Sequence, residues 1–181
     1  AVLTACRNTL TSINLSGCDG VEPWLLLEDS AFPCPALKVA RFCDWYSISD
    51  TFVESLVSSC SDLCELDISF KLVPTSTISK HALCVIASAC RHLTTLNLSF
   101  LEAVDDAVLV NLVHRNPCIR DLRISTCMRI TDLSLEAIAE TLWSLRVLNI
   151  HGCDLCTDTG LAAIVGRCRY LVELDTAFLH L

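Results

Sequence analysis

The residues best equipped for chemistry in this 181-residue chain are its 13 cysteines. Two of them, Cys153 and Cys156 in "NIHGCDLCTDTG", stand in a C-x-x-C spacing. That spacing serves a redox dithiol, where one thiolate attacks and the other resolves, or half of a tetrahedral zinc site. The five histidines (81, 92, 114, 151 and 180) are further candidate ligands, but none forms the H-E-x-x-H of a helical zinc site. The five glycines (17, 20, 152, 160 and 166) make neither G-x-G-x-x-G nor G-x-x-x-x-G-K-[ST], the backbone cradles for dinucleotides and phosphates. Any chemistry therefore rests on the cysteines converging, since a closed zinc site needs four ligands at one point. The elements that carry them decide whether they do.

Those elements repeat. Aligning "LRISTCMRITDLSLEAIAETL" from Leu122 with "LNIHGCDLCTDTGLAAIVGRC" from Leu148 requires an offset of 26 and superposes nearly every apolar position. Carried outward, the first apolar slot falls at Leu10, Leu37, Leu63, Leu93, Ile119, Leu145 and Leu171. A fixed period of this size marks a solenoid, in which each unit buries its apolar face only by stacking on its neighbours. The first half of each unit holds an alternating pair: Ile13/Leu15, Ala40/Phe42, Leu66/Ile68, Leu96/Leu98, Leu122/Ile124, Leu148/Ile150 and Leu174/Thr176. Alternation over so few residues predicts a short strand with one face buried. The second half holds apolar residues three apart, at Val53/Leu56, Leu83/Ile86, Leu109/Leu112, Leu135/Ile138 and Leu161/Ile164. That spacing is one face of a helix. Ser49, Ser79, Asp105, Thr131 and Thr157 precede these segments as N-caps, and Asp follows four of the five; Lys80 is the exception.

The C-x-x-C now reads differently. Cys153 occupies the slot of Cys18 and Cys127, filled elsewhere by Trp45, Lys71 and Leu101. Cys156 occupies the slot of Ile48, Ile78, Val104 and Ile130. The two belong to independent positions of the repeat and are expected to pack as small apolar groups, as are Cys6, Cys60, Cys90 and Cys168 at the helix ends. Cys43 alone is expected to face outward. No metal and no cofactor is implied.

Each unit reads L-x-x-L-x-L-x-x-C-x-x-I-[ST]-D, and on these residues the chain resembles the cysteine-containing subfamily of leucine-rich repeats. The resemblance implies an α/β fold: a right-handed solenoid, or horseshoe, with a parallel sheet on the concave side and helices on the convex side. It covers residues 1–181 as one array of about six to seven repeats. In this subfamily such arrays are best known as the substrate-binding part of F-box proteins, adaptors of ubiquitin ligases. No "LP-x-E-[IL]"-like segment of an F-box occurs in the sequence, so ligase components would be engaged through a segment outside it. Both ends cut through a repeat, which predicts that the natural protein continues in both directions. Three places depart from the pattern: "VEPWLLLEDSAFPCP", whose prolines (23, 33 and 35) break a regular helix; "KLVPTST", an insertion in the third repeat before its helix; and "HRNPC", which reads as an end to the fourth repeat two residues longer than in its neighbours.

Function is expected on the outer face of the sheet. Its flanking residues include Arg41, Glu65, Asp67, Asn97, Asp121, Arg123, Asn149, His151, Glu173 and Asp175. Five carboxylates against two guanidiniums give this face a charge of −3. Seven strands spaced about 4.8 Å apart span roughly 30 Å, enough for a standard protein interface. Phe70, Phe100 and Phe178 follow the strands and, with Trp45 and Tyr46, suggest an aromatic rim of interface anchors. The alternative for these rings is packing beneath neighbouring loops. The whole chain carries a net charge of −8, which argues against nucleic acid, and no apolar run approaches the ~18 residues of a membrane helix. An odd number of cysteines in a long chain points to a reducing compartment, the cytoplasm first, with nuclear or axonemal sites as alternatives. The reading is a binding scaffold and not an enzyme, with a protein partner on the concave face. A structural repeat protein within a large assembly, such as a flagellar axoneme or an organellar particle, is the competing class. A small-ligand pocket on the same face is a third.

Overall fold

Three alternating residues per repeat suffice for a strand when the next repeat supplies its hydrogen bonds. Strands β1 (Ser12–Asn14), β2 (Val39–Arg41), β3 (Glu65–Asp67), β4 (Thr95–Asn97), β5 (Asp121–Arg123), β6 (Val147–Asn149) and β7 (Glu173–Asp175) pair in chain order as one parallel sheet. The register is constant: Ala40, Leu66, Leu96, Leu122, Leu148 and Leu174 lie side by side. The structure is a computed structural model that describes residues 3–18, 20–71 and 78–178.

Helices α1 (Asp50–Ser59), α2 (Lys80–Ala89), α3 (Asp106–Arg115), α4 (Asp132–Thr141) and α5 (Asp158–Arg167) form the second layer. Each packs on the next along the array. Helices pack 8–10 Å apart and strands about 4.8 Å apart, so the stack curves with its sheet on the inner side. Between the layers lies a continuous core of the predicted residues: Leu66/Ile68, Leu96/Leu98, Leu122/Ile124 and Leu148/Ile150 from the strands, and Val53/Leu56, Leu83/Ile86, Leu109/Leu112 and Leu135/Ile138 from the helices are all buried. Leu15 at one end is half-buried, and Leu174 at the other is 37% exposed.

Every predicted N-cap makes its bond. The side chains of Ser49, Ser79, Asp105, Thr131 and Thr157 accept from backbone N–H groups in the first turn of α1 to α5. The Asp that follows has a second task. Asp106 accepts from the Thr131 N–H (2.9 Å) and hydroxyl (2.8 Å), and Asp132 accepts from the Thr157 N–H (2.7 Å) and hydroxyl (2.6 Å). Asp50 accepts from the Ser79 N–H at 2.8 Å. Each helix thus holds the cap of the next. Lys80 fits the scheme by exchange: it replaces the Asp, the following cap is Asp105, and the two form an ion pair.

The irregular stretches are explained by their residues. "PWLL" forms a 3-10 turn, Pro23–Leu26, in place of a helix. The expected extension at "HRNPC" is not found: α3 has the same 10 residues as its neighbours, and buried Asn116 fills the C-cap slot held elsewhere by Cys60, Cys90 and Cys168. Of the "KLVPTST" insertion, Leu72 to Thr77 lie outside the described residues.

Candidate functional site: the concave face of the sheet

The cysteines form no centre of reactivity among the described residues; they are spread along the array. The Cys127 thiol donates to the Leu98 carbonyl at 3.4 Å and the Cys153 thiol to the Ile124 carbonyl at 3.2 Å. The Cys60 thiol donates to the Cys34 carbonyl at 3.2 Å, the Cys156 thiol to the Ile130 carbonyl at 3.8 Å, and the Cys168 thiol to the Leu142 carbonyl at 3.8 Å. Each bond reaches back one repeat. Burial pushes Cys153 up to about 11 and Cys60, Cys90 and Cys156 up to about 12, so these groups are neutral thiols at neutral pH. A neutral thiol is neither a nucleophile nor a metal ligand. All 13 cysteines are free. The expectation that Cys43 alone is exposed is corrected: Cys43 is half-buried, and Cys118, just before β5, is the exposed one.

On the sheet's outer face, the residue closing each strand divides into two kinds. Asn14, Asp67, Asn97, Asn149 and Asp175 turn back on their own chain and accept the N–H two residues on, at 3.0 to 3.1 Å. The same side chains bond sideways. Asn97 donates to Asp67 at 3.2 Å, Asn149 donates to Asp175 at 3.1 Å, and Ser125 donates its hydroxyl to Asn149 at 2.5 Å. These are fixtures of the turns that end the strands. The remaining two strands end in Arg41 and Arg123, which cannot accept a bond and lie over the face instead. Arg41 pairs with Glu65 through two nitrogens. Arg123 grips Asp121 at 3.0 and 3.2 Å and reaches to within 4.0 Å of Glu173, two strands away. The Asp121 carboxylate beside it pushes the Arg123 guanidinium further up.

Among the predicted contact residues, then, Arg41 and Glu65 form one pair and Asp121, Arg123 and Glu173 a second group, and none of the five closes a strand-end turn. Asp67, Asn97, Asn149 and Asp175 sit on the same face but serve the turns. His151 lies 3.9 Å from Asp175 through Nδ1, and its ring meets Phe178 edge-on at 5.0 Å.

The aromatic rim is corrected at two positions. Trp45 is fully buried, donates its indole N–H to the Val21 carbonyl at 2.7 Å, and packs with Phe42 and Phe52. Phe70 is also buried, its ring 5.5 Å from that of Tyr46. Tyr46 (44%) and Phe178 (76%) are exposed, and Phe100 is half-buried. Phe100 and Phe178 have φ of 64° and 59°, in the turn slot where Gly17 and Gly152 also take positive φ. A bulky residue is costly in that conformation; Phe100 packs partly against the core there, while Phe178 stays exposed. Sequence reasoning missed the pair between Asp44 and Lys71, 3.0 Å apart on neighbouring repeats; Lys71 stands one slot beyond the position equivalent to Asp44, which Phe70 fills, so the repeat frame did not bring the two together.

Comparison with known proteins places this geometry. The family description "Leucine Rich repeat" matches residues 89–100. A Transport inhibitor response 1-like protein of Oryza sativa subsp. japonica is 46% identical over 48 residues, 26% of this chain and 8% of that protein. Among solved structures, that of the Rad7 and Elc1 complex in yeast superposes with a TM-score of 0.74 at 13% identity, covering 99% of this chain and 52% of that one. The tropomodulin C-terminal domain of Caenorhabditis elegans gives 0.54 at 14% identity, covering 72% and 84%. The chain thus spans under a tenth of the curated relative's length and about half of the first structural neighbour's.

Proposed function

We propose that this chain, a leucine-rich-repeat protein built for interaction, recognises a protein partner through the concave face, as the substrate-recognition part of an F-box-type ubiquitin-ligase subunit. One observation carries the reading. Arg41, Glu65, Asp121, Arg123 and Glu173 project from strands whose other polar residues are consumed in holding the turns. Holding these groups on hydrogen-bonded strands preorganises them, which lowers the ordering cost of binding. Tyr46 and Phe178 flank the face as exposed rings of the kind that anchor interfaces. The F-box part of the reading is supported by the cysteine-containing repeat subtype. The similarly folded chain was solved in a complex of Rad7 and Elc1, which agrees with partner binding.

The test compares proteins co-purified with tagged wild type, with Arg123→Glu, and with Glu136→Lys on the helical side. The reading expects Arg123→Glu to lose a partner that Glu136→Lys retains, and a ubiquitin-ligase scaffold to accompany the full-length protein. Identical partner sets for all three would end the concave-face assignment; a full-length protein lacking any F-box would end the ligase assignment alone.

A further inference from the structure

The chain has 13 basic residues for 21 acidic ones; among the described residues five of the basic side chains pair with carboxylates and eight do not, and what sets two of those eight apart is that they are neighbours. Arg41, Lys71, Lys80, Arg123 and Arg167 are all in ion pairs. Arg120 and Arg146 are exposed, and among the described residues neither guanidinium meets a carboxylate or a hydrogen-bond acceptor. They are also neighbours. Asp121 is in register with Val147, so the residues immediately before β5 and β6 lie side by side, and the Arg146 N–H donates to the Arg120 carbonyl at 2.8 Å. Two permanently charged groups at the spacing of adjacent strands, about 4.8 Å at the backbone, repel one another. Arg120, Ser144, Arg146 and Tyr170 line one surface depression at this edge of the sheet. Tyr170 is 69% exposed.

We propose that this depression binds a phosphoryl dianion. Each guanidinium offers a planar fork that takes two oxygens, and the Ser144 and Tyr170 hydroxyls add two donors. A carboxylate, planar with two oxygens and a single charge, satisfies one fork and leaves the second guanidinium uncompensated. A phosphoryl group has three terminal oxygens and up to two charges, matching both forks and the hydroxyls together. Its source is either a phosphorylated side chain of a protein partner or a free phosphate compound. The site lies at the edge where strands β5 to β7 begin, and it does not depend on the concave-face reading.

Titration calorimetry on the full chain, with inorganic phosphate and with a short phosphoserine peptide as probes, tests the assignment. Saturable binding is expected, weakened about tenfold or more by Arg120→Gln and by Arg146→Gln and reduced by added salt. Arg115→Gln, on the helical side, is expected to bind as wild type. Unchanged urea midpoints establish that the variants are folded. Tighter binding of the peptide than of phosphate identifies a partner's side chain as the source; equal binding identifies a free compound. No saturable binding, undiminished binding by both glutamine variants, or equal affinity for a glutamate peptide would overturn the proposal.

Discussion

Lys80 and Asp105 offer a sharp test of how the repeats are joined. Elsewhere an Asp opening one helix accepts from the Thr capping the next; here the two partners have changed places in charge, and an ion pair replaces the hydrogen bonds. Lys80→Asp would set two carboxylates against each other. The side chains are 48% and 18% exposed, so the contact is wet on one side only. An ion pair of this kind contributes about 1 kcal/mol, and a repulsion of similar size replaces it, so the variant should lose roughly 2 kcal/mol. Asp105→Thr keeps a capping side chain and loses only the pair, about 1 kcal/mol. The double variant Lys80→Asp/Asp105→Thr recreates the Asp–Thr arrangement of the other repeats and should return close to wild-type stability. The pairwise coupling in the cycle is then roughly 2–3 kcal/mol, read from urea unfolding midpoints at constant m-value. Additive losses in the double variant would refute the account. The pair also has a pH signature. Burial opposes ionisation of Asp105, but Lys80 and the Val108 N–H overcome it and hold its carboxyl below the ordinary value. A depressed carboxylate contributes stability that is full above its unfolded pKa and lost as pH falls through the folded one. That acid-side loss should be smaller in Lys80→Ala.

Two further outcomes follow from the packing. A Cβ added at Gly160 would stand 2.4 Å from an Asp132 carboxylate oxygen and 2.7 Å from a Leu135 methyl. Gly160→Ala should therefore cost about 1–3 kcal/mol in urea unfolding, although alanine favours helix by about 1 kcal/mol; a stabilised variant would show that α4 and α5 are not so close. Under native conditions at pH 8 a disulfide reagent should label Cys118 first, while Cys60, Cys90, Cys153 and Cys156 react only on unfolding. Labelling of Cys153 at the rate of Cys118, or release of a stoichiometric metal, would contradict their role as core residues.

The period was legible because burial repeats with it: Leu96, Leu122 and Leu148 are interior for the same reason in each repeat. What was not legible was any position whose fate is set by a neighbouring repeat. Phe70 and Phe178 share one slot, yet Tyr46 from the preceding repeat closes over the first, while the corresponding neighbour of the second leaves it 76% exposed. Trp45 occupies a slot that Cys127 and Cys153 fill, and a ring that large reads as extruded. It is accommodated because Pro23 excludes a helix from the first repeat, and Phe32, Phe42, Phe52 and Trp45 pack together there. The division of the concave face was similarly hidden. Asn and Asp look like ligands for a partner until the N–H groups they accept are seen.

The helix-to-helix hold runs in one direction, from each opening Asp to the succeeding cap. Detaching the last repeat of such a series leaves every earlier cap braced, whereas detaching the first leaves the next cap with its own helix-internal bond but without its brace. The array is therefore polar as a mechanical object: a repeat bared on its N-terminal side is left with an unbraced cap, and one bared on its C-terminal side with an aspartate lacking its partner.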